Sequence, residues 1–290
     1  MARSPFGALK RVLRPVLPAS LRSSAAVVPV VRLQGAIGIG TPLRPALTLA
    51  SLAEPLERAF SVADAAEVAL VINSPGGSPA QSHLIYRRIR RLADEKNLGV
   101  TAFVEDAAAS GGYMLACAAD TIVADPSSIV GSIGVISAGF GFEGLLQRLG
   151  VERRVHTAGT RKSLLDPFLP ENEDDVRRLT EVQREIHRVF IELVRTRRGG
   201  RLNGIDEELF SGDFWIGELA RARGIVDEIG DLHTTMRARY GDNVDLRLIN
   251  QRKGGLRRLA GMAAPAGMGT VGSDLLASIE ERALWARYGL

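Results

Sequence analysis

The feature that most constrains the fold is a repeated unit of a continuously apolar strand, a turn and an amphipathic helix. The runs VALVI at 68–72 and VTAFV at 100–104 are typical of strands that are buried on both faces. A helical pattern follows the first run at 79–95, and a small-residue helix at 107–119 follows the second. This repetition predicts an α/β fold with a largely parallel sheet, in which sites gather at the carboxyl ends of the strands.

The same patterns predict the remaining elements. The longest helix is expected over 172–198, because Asn172 can cap it, acidic residues fill its first turn and arginines fill its last. Gly199 and Gly200 would end it. A further helix is expected over 51–65, and further strands are expected at 27–35, 121–124, 133–137 and 151–158.

Charge and composition divide the 290 residues into three parts: a basic N-terminal arm at 1–26, a main domain at 27–240, and a linker with a C-terminal amphipathic helix at 241–290. Residues 1–53 hold seven basic groups and no Asp or Glu, so most of the net charge of +4 belongs to the arm. The linker spans the Gly- and Ala-rich stretch 254–272. A helix tethered in this way is expected to dock on a neighbouring subunit or in the chain's own cleft.

The arm contains no apolar run long enough for a cleavable secretory signal or a transmembrane helix. Three interpretations stay open: peripheral contact of residues 1–24 with an anionic membrane, an organelle transit peptide, or a disordered basic tail. The sequence therefore predicts a membrane-associated or cytoplasmic protein. No nucleic-acid partner is expected.

Ser110 is the first candidate for chemistry. It stands between a strand and a helix in the segment ASGGYM at 109–114, where free backbone N–H groups of a helix N-terminus would surround its hydroxyl. Gly111 lets a substrate approach the backbone. This pattern is typical of a nucleophilic serine with an oxyanion hole, although a simple helix cap has the same appearance. A second glycine turn, Asn73-Ser74-Pro75-Gly76-Gly77, could supply further oxyanion donors from Gly76 or Gly77.

A nucleophilic serine needs a base, and Lys162 is the best candidate. Of the 37 basic residues only four are lysines, and Lys162 alone lies in the main domain next to apolar residues. A lysine amine can lose its proton when it is buried, whereas an arginine keeps its charge. His156 is the alternative base, since the other three histidines lie on predicted helices or after a loop.

Metal and cofactor chemistry is not indicated. The sequence has one cysteine, Cys117, and it contains no HExxH segment and no Cys/His cluster, so we expect no metal site and no cofactor.

Five ordered segments resemble the signal peptide peptidase A family of serine proteases, including its SohB-type members. The resemblance covers roughly residues 27–235. The segments are VINSPGG at 71–77, ASGGYMLACAAD at 109–120, VGSIGVI at 130–136, TAGTRKSLLDPF at 157–168 and LFSGDFWIGELARARGIVDEIGDL at 209–232.

This resemblance implies a crotonase/Clp-protease-like spiral of β–β–α repeats and a protease domain at 27–240. It implies that Ser110 is the nucleophile, that Lys162 is the general base, and that Ser132 hydrogen-bonds the lysine. Gly76, Gly77 and Gly111 fall at the positions of the oxyanion donors. The expected substrates are remnant signal peptides or other unfolded or membrane-derived peptides, and the expected assembly is a ring-like homo-oligomer.

The chain departs from the family pattern at Asp213, which replaces the usual arginine, and in having a basic arm in place of an N-terminal membrane helix. Two other functions stay open. An acyl-CoA hydratase or isomerase on the same fold would use similar oxyanion donors without a serine nucleophile. A non-catalytic membrane-associated scaffold would use the ring and the arm alone.

Overall fold

The structure, a computed structural model, describes residues 25–40, 46–249, 278–279 and 281–290. Residues 1–24 of the predicted arm and the predicted linker at 254–272 lie outside the described residues. Within the described part of the chain, no helix combines the length and the apolar character that crossing a membrane would need.

The strands form a single sheet. Its main path runs in the order β6-β5-β3-β2-β1-β8, and β4 joins it by pairing with both β3 and β7. Every pairing between these strands is parallel except β5 with β6. The expected α/β fold with a parallel-dominated sheet is confirmed. The strands are β1 Val27–Gln34, β2 Val68–Ser74, β3 Val100–Ala109, β4 Thr121–Ala124, β5 Ile129–Gly131, β6 Phe214–Ile216, β7 Glu228–Ile229 and β8 Asp245–Leu248.

The helices begin and end where the local sequence allows. Asn172 caps α5 by accepting hydrogen bonds from the N–H groups of Asp174 and Asp175, as its residue type predicts. A 3-10 turn, Gly199–Arg201, follows this helix. The helices are α1 Leu49–Phe60, α2 Pro79–Lys96, α3 Gly111–Ala116, α4 Glu143–Leu149, α5 Glu173–Arg198, α6 Asp206–Leu209, α7 Gly217–Ala222 and α8 Leu232–Tyr240. Residues 278–279 and 281–286 are also helical, and together with the turn that follows at 287–290 they are called the C-terminal helix below.

Several predicted elements are wrong in type or in extent. Residues 133–137 and 151–158 are not strands, because they pair with no described strand. Ile136, Val151 and Val155 are exposed, whereas Ile133 is buried without a strand partner. The helix expected at 107–119 is shorter, because β3 continues through Ala109. The helix expected at 51–65 starts earlier, because Thr48 caps it, and ends at Phe60.

The sheet separates two apolar clusters. On one face, α1, α2 and α3 pack through residues such as Leu56, Ile89 and Leu115, and all three of these side chains are fully buried. On the other face, Met236 of α8 packs on Val71 and Phe103. This two-sided burial explains why β2 and β3 are apolar along their whole length. It also fixes the carboxyl ends of both strands, where the candidate residues lie.

A buried ion pair holds α5 on this framework, and its removal is expected to be costly. Only 3% of Arg198 is exposed. Its guanidinium donates two hydrogen bonds to the carbonyl of Gly224 and two to the carboxylate of Asp227. Arg198→Ala leaves the buried carbonyl of Gly224 without its donor and leaves Asp227 with only Arg201 and the N–H of Ile122, so we expect a loss of about 3 kcal/mol in the free energy of unfolding. Denaturant titration measures this. Arg188→Ala, on the exposed side of the same helix, should change it by less than about 0.5 kcal/mol; similar losses in the two variants would contradict the prediction.

The same pair gives the stability a pH dependence. Burial by itself would raise the pKa of Asp227, but hydrogen bonds from Arg198 and from the N–H of Ile122 bring this pKa below its usual value. Because the pKa of Asp227 is lower in the folded state than in the unfolded state, its ion pair stabilises the fold above roughly pH 4. This contribution to the free energy of unfolding is lost as the pH falls through the folded-state pKa.

Candidate active site

Ser110 lies at the sharp junction of β3 and α3, in a conformation that suits a nucleophile. Its φ of 53° and ψ of −121° are rare for a residue with a side chain, and strain of this kind costs about 1–3 kcal/mol. The Ser110 N–H donates to the carbonyl of Gly131, which ties β3 to β5. The Ser110 hydroxyl makes no hydrogen bond with any described residue and does not cap α3. It is therefore available to a substrate.

Two glycine turns meet at this hydroxyl. A Cβ atom built on Gly76 would lie 2.8 Å from the Cβ of Ser110 and 2.9 Å from the backbone nitrogen of Gly111, so these three residues are in direct contact. The N–H groups of Gly77 and Gly111 have no acceptor among the described residues. The N–H of Gly76 reaches only the hydroxyl of Ser74, at 3.3 Å. Donors without a strong partner are thus concentrated beside Ser110.

Ser132 lies next to Ser110 at the end of the neighbouring strand. The register of β3 and β5 pairs Ala109 with Gly131, which places the two serines side by side. Ser132 also has a positive φ, 51°, and only 8% of it is exposed. Its N–H donates to the carbonyl of Asp213 over 2.7 Å, and its hydroxyl accepts a hydrogen bond of 3.1 Å from the hydroxyl of Tyr288.

Lys162 is not brought to these serines within one chain. It lies in an exposed turn, and its amine makes no hydrogen bond or ion pair with any described residue. The turn lies at the N-terminal end of α5, because the N–H of Leu165 donates a hydrogen bond to the carboxylate of Asp175 in the first turn of that helix. His187 of the same helix contacts the carbonyl of Ile133, beside Ser132. Twelve residues separate Asp175 from His187, which is about 18 Å along a helix.

Residues 134–172, which we call the projecting segment, expose an unusual amount of apolar surface. Phe140 is 80% exposed and Leu149 is 65% exposed. No residue of α4, which lies in this segment, is buried. Other exposed apolar side chains in the segment are Ile136, Phe142, Leu145, Val151, Val155 and Leu169. Apolar patches on this scale indicate an interaction surface.

The other nucleophiles and bases fit the site less well. Burial raises the pKa of Cys117 to about 12, so its thiol stays protonated. The Nε2 atom of His187 is 3.0 Å from the carbonyl oxygen of Ile133, so this nitrogen must carry a proton and cannot accept one from a serine. His156, the alternative base considered above, is exposed in the projecting segment. Among the described residues, no cluster of His, Cys, Asp and Glu could hold a metal ion.

Three contacts at the site were not predicted from the sequence. They are the hydrogen bond from Tyr288 to Ser132, the contact of His187 with Ile133, and the hydrogen bond from the Ser132 N–H to the carbonyl of Asp213. The amphipathic pattern of the C-terminal helix predicts docking, but it does not say where. The hydrogen bond to Asp213 uses only its backbone carbonyl, so it can form whether this position holds aspartate or the usual arginine.

The packing of Gly76 on Ser110 gives a prediction for the oxyanion donors. Gly76→Ala places a methyl group against the Ser110 side chain at a φ of 102°, so the turn must shift. If these N–H groups stabilise an oxyanion, peptide hydrolysis should fall by about 10²–10³-fold in kcat. Gly200→Ala, where an added Cβ meets no atom within 4 Å, is the matched control. Full activity of Gly76→Ala in a steady-state assay would contradict this role.

Comparison with protein families gives an independent view of the chain. Residues 93–245 match the sequence model of Peptidase family S49. A serine protease SPPA, chloroplastic, of Arabidopsis thaliana is 34% identical over 165 residues, which are 56% of this chain and 24% of that protein.

A much longer relative carries a different name. A Brucella abortus (strain 2308) protein named Na(+)/H(+) antiporter NhaA is 52% identical over 292 residues, which are 98% of this chain and 40% of that protein. The chain therefore spans less than half the length of both relatives. The aligned part includes residues 93–245, which match the peptidase family, whereas the antiporter name belongs to a protein of which this chain matches 40%.

A solved structure shows the same fold. The 1510-N membrane-bound stomatin-specific protease, as a lysine-to-alanine mutant in complex with a substrate peptide, superposes with a TM-score of 0.50 at 14% identity. The superposition covers 88% of this chain and 100% of that one. The expected spiral α/β protease fold is confirmed.

Proposed function

The chain belongs to peptidase family S49, and on this premise we propose that it is a serine endopeptidase with a Ser–Lys dyad. Ser110 is the nucleophile, Lys162 is the general base, and Ser132 orients the lysine. The N–H groups of Gly76, Gly77 and Gly111 form the oxyanion hole. The observation that carries the proposal is the strained Ser110, whose free hydroxyl lies beside unpaired backbone donors.

The proposed reaction is acyl transfer. The neutral amine of Lys162 takes the proton of the Ser110 hydroxyl while the oxygen attacks a peptide carbonyl. The oxyanion forms against the glycine N–H groups, where fixed donors are worth more than in water. The protonated lysine then gives its proton to the leaving amine as the peptide bond breaks. Water, deprotonated by the same lysine, hydrolyses the ester of Ser110.

We infer that the lysine reaches the serine in an assembly of several copies of the chain. Three observations support this: Lys162 has no partner within the described residues, the projecting segment that carries it extends along α5, and that segment exposes Phe140 and Leu149. A neighbouring copy that covers these apolar residues would also bury the lysine. Burial lowers the pKa of an amine and so favours the neutral base.

The proposed substrates are remnant signal peptides or other unfolded or membrane-derived peptides. The support is family membership, together with a related fold that holds a substrate peptide in another protein. An unfolded segment can enter a narrow cleft between strand ends, whereas a folded domain cannot.

Residues 1–24, which lie outside the described part, carry five basic groups and no acidic group. We propose that they contact an anionic membrane peripherally. Sedimentation with anionic vesicles but not with neutral ones, reduced by salt, would support this contact. Equal sedimentation with both kinds of vesicle would refute it.

A fluorophosphonate probe tests the proposed function on the wild-type protein. The probe should form a covalent adduct at Ser110, located by peptide mass spectrometry, and the protein should cleave an unfolded protein substrate such as reduced casein. Hydration of an enoyl-CoA without labelling would instead favour the hydratase alternative. Vesicle binding with neither labelling nor hydrolysis would favour the scaffold.

A further inference from the structure

The C-terminal helix lies across the candidate active site. The hydroxyl of Tyr288 donates to Ser132, and the Tyr288 ring packs edge-on against Phe214 with centroids 5.3 Å apart. On the opposite side, a carboxylate oxygen of Glu281 lies 3.7 Å from where a Cβ of Gly35 would be. The helix therefore contacts both the end of β1 and the β5–β6 edge.

The space between these contacts forms a cavity that the helix closes on one side. The cavity has a volume of about 620 Å³ and is lined by Trp285 and Leu290 of the C-terminal segment. Asn73 and Asp106, at the ends of β2 and β3, line its other wall. Asn73 is mostly buried and its Oδ1 atom has no hydrogen-bond partner. The C-terminal segment thus lies over the strand ends that precede Ser110.

The contact with Ser132 has a direct chemical consequence. The proposed role of this hydroxyl is to accept a hydrogen bond from Lys162, and Tyr288 makes such a bond in its place. With Tyr288 in place, only 8% of Ser132 is exposed, so the tyrosine contact leaves little of this residue open to another group. An aromatic ring packed edge-on against Phe214 beside Ser132 would obstruct an approaching lysine side chain.

We propose that the C-terminal helix is an autoinhibitory element, in which Tyr288 occupies the position that Lys162 must take beside Ser132. The inference depends on the proposed function, because it concerns the same dyad. The docking surface, made by Gly35, Ser132 and Phe214 with the cavity between them, fits an amphipathic helix with an aromatic residue near its end. Its occupant is the chain's own C-terminal helix, which must leave before the lysine can enter.

Full-length variants at position 288 test this proposal. Tyr288→Ala should raise kcat/KM for reduced casein by about 5- to 20-fold, because it removes both the hydrogen bond and the ring. Tyr288→Phe should give a smaller rise, because the ring remains. Arg287→Ala, an exposed neighbour, is the control and should leave the rate unchanged. An unchanged or reduced rate in Tyr288→Ala would overturn the inhibitory role.

Hydrogen exchange separates docking from catalysis. In the inactive Ser110→Ala protein, the amides of residues 284–288 should be protected, and Tyr288→Ala on that background should remove the protection. Fast exchange at these amides in both proteins would overturn the docking itself. Protection in the parent protein, with no turnover or probe labelling of either the wild type or Tyr288→Ala, would refute the proposed function and with it the competition for Ser132, while the docked helix would stand.

Discussion

Ser110→Ala should abolish peptide hydrolysis, with kcat reduced by about 10⁴-fold or more, because it removes the hydroxyl that is proposed to form the acyl intermediate. The substitution removes one oxygen atom that makes no hydrogen bond to the described residues, so the fold should persist. Alanine must still adopt a φ of 53°, as serine does, so the strain at this position is similar in the two proteins. The measurement is the initial rate of reduced casein cleavage, with unfolding midpoints recorded for both proteins.

A matched serine separates loss of the nucleophile from a general effect of removing a hydroxyl. Ser127→Ala removes an exposed hydroxyl that bonds only to Asp125, and it should keep full activity. Substantial hydrolysis by Ser110→Ala would show that another residue attacks the substrate. The same would follow if the fluorophosphonate adduct formed as fast in Ser110→Ala as in the wild type.

Two inactive variants should restore activity when they are mixed. Lys162→Ala and Ser110→Ala should each lose about 10⁴-fold in kcat, since one lacks the base and the other the nucleophile. If the lysine enters the site of a neighbouring copy, mixed assemblies contain sites with Ser110 from one chain and Lys162 from the next. Random mixing of equal amounts should recover about a quarter of wild-type turnover. The measurement is the casein cleavage rate after dissociation and reassembly of the mixture.

The control mixes the wild type with a double variant that carries both Lys162→Ala and Ser110→Ala on the same chain. Lys162→Arg should be as inactive as Lys162→Ala, because a guanidinium keeps its proton. No recovery in the mixture, together with inactivity of both single variants, would place the lysine and the serine of a working site on the same chain. An active Lys162→Arg protein would point to a different base.

Periodicity predicted most of the fold because the elements of the central sheet are buried in a regular way. The runs at 68–72 and 100–104 became β2 and β3, and the capped pattern after Asn172 became α5. The same reasoning was wrong for residues 151–158, which are not a strand. Val151 and Val155 would lie on one face of a strand, but a strand requires a neighbour to pair with, and the described residues provide none there.

The candidate site was predictable only where sequence neighbours make it. Gly76, Ser110 and Gly111 follow strand ends, and the parallel order of β2 and β3 brings them together. In the proposed assembly, the position of Lys162 depends on the neighbouring copy that covers the projecting segment. Periodicity and motifs in one chain do not predict how two copies contact each other. The contact of Tyr288 with Ser132 joins residues 156 positions apart, and no local rule predicts such a pair.

The hydrogen bond from the Ser110 N–H to the Gly131 carbonyl makes the two serines a single mechanical unit. A shift of β5 carries Ser132 and Ser110 together, so their spacing survives small movements of the strands. In the proposed mechanism, Ser110 and the orienting Ser132 are therefore prearranged in each newly made chain, and activity waits for the C-terminal helix to leave and for the amine to arrive. A cell that makes such a chain would be protected from premature cleavage, because on this proposal a lone copy lacks its base.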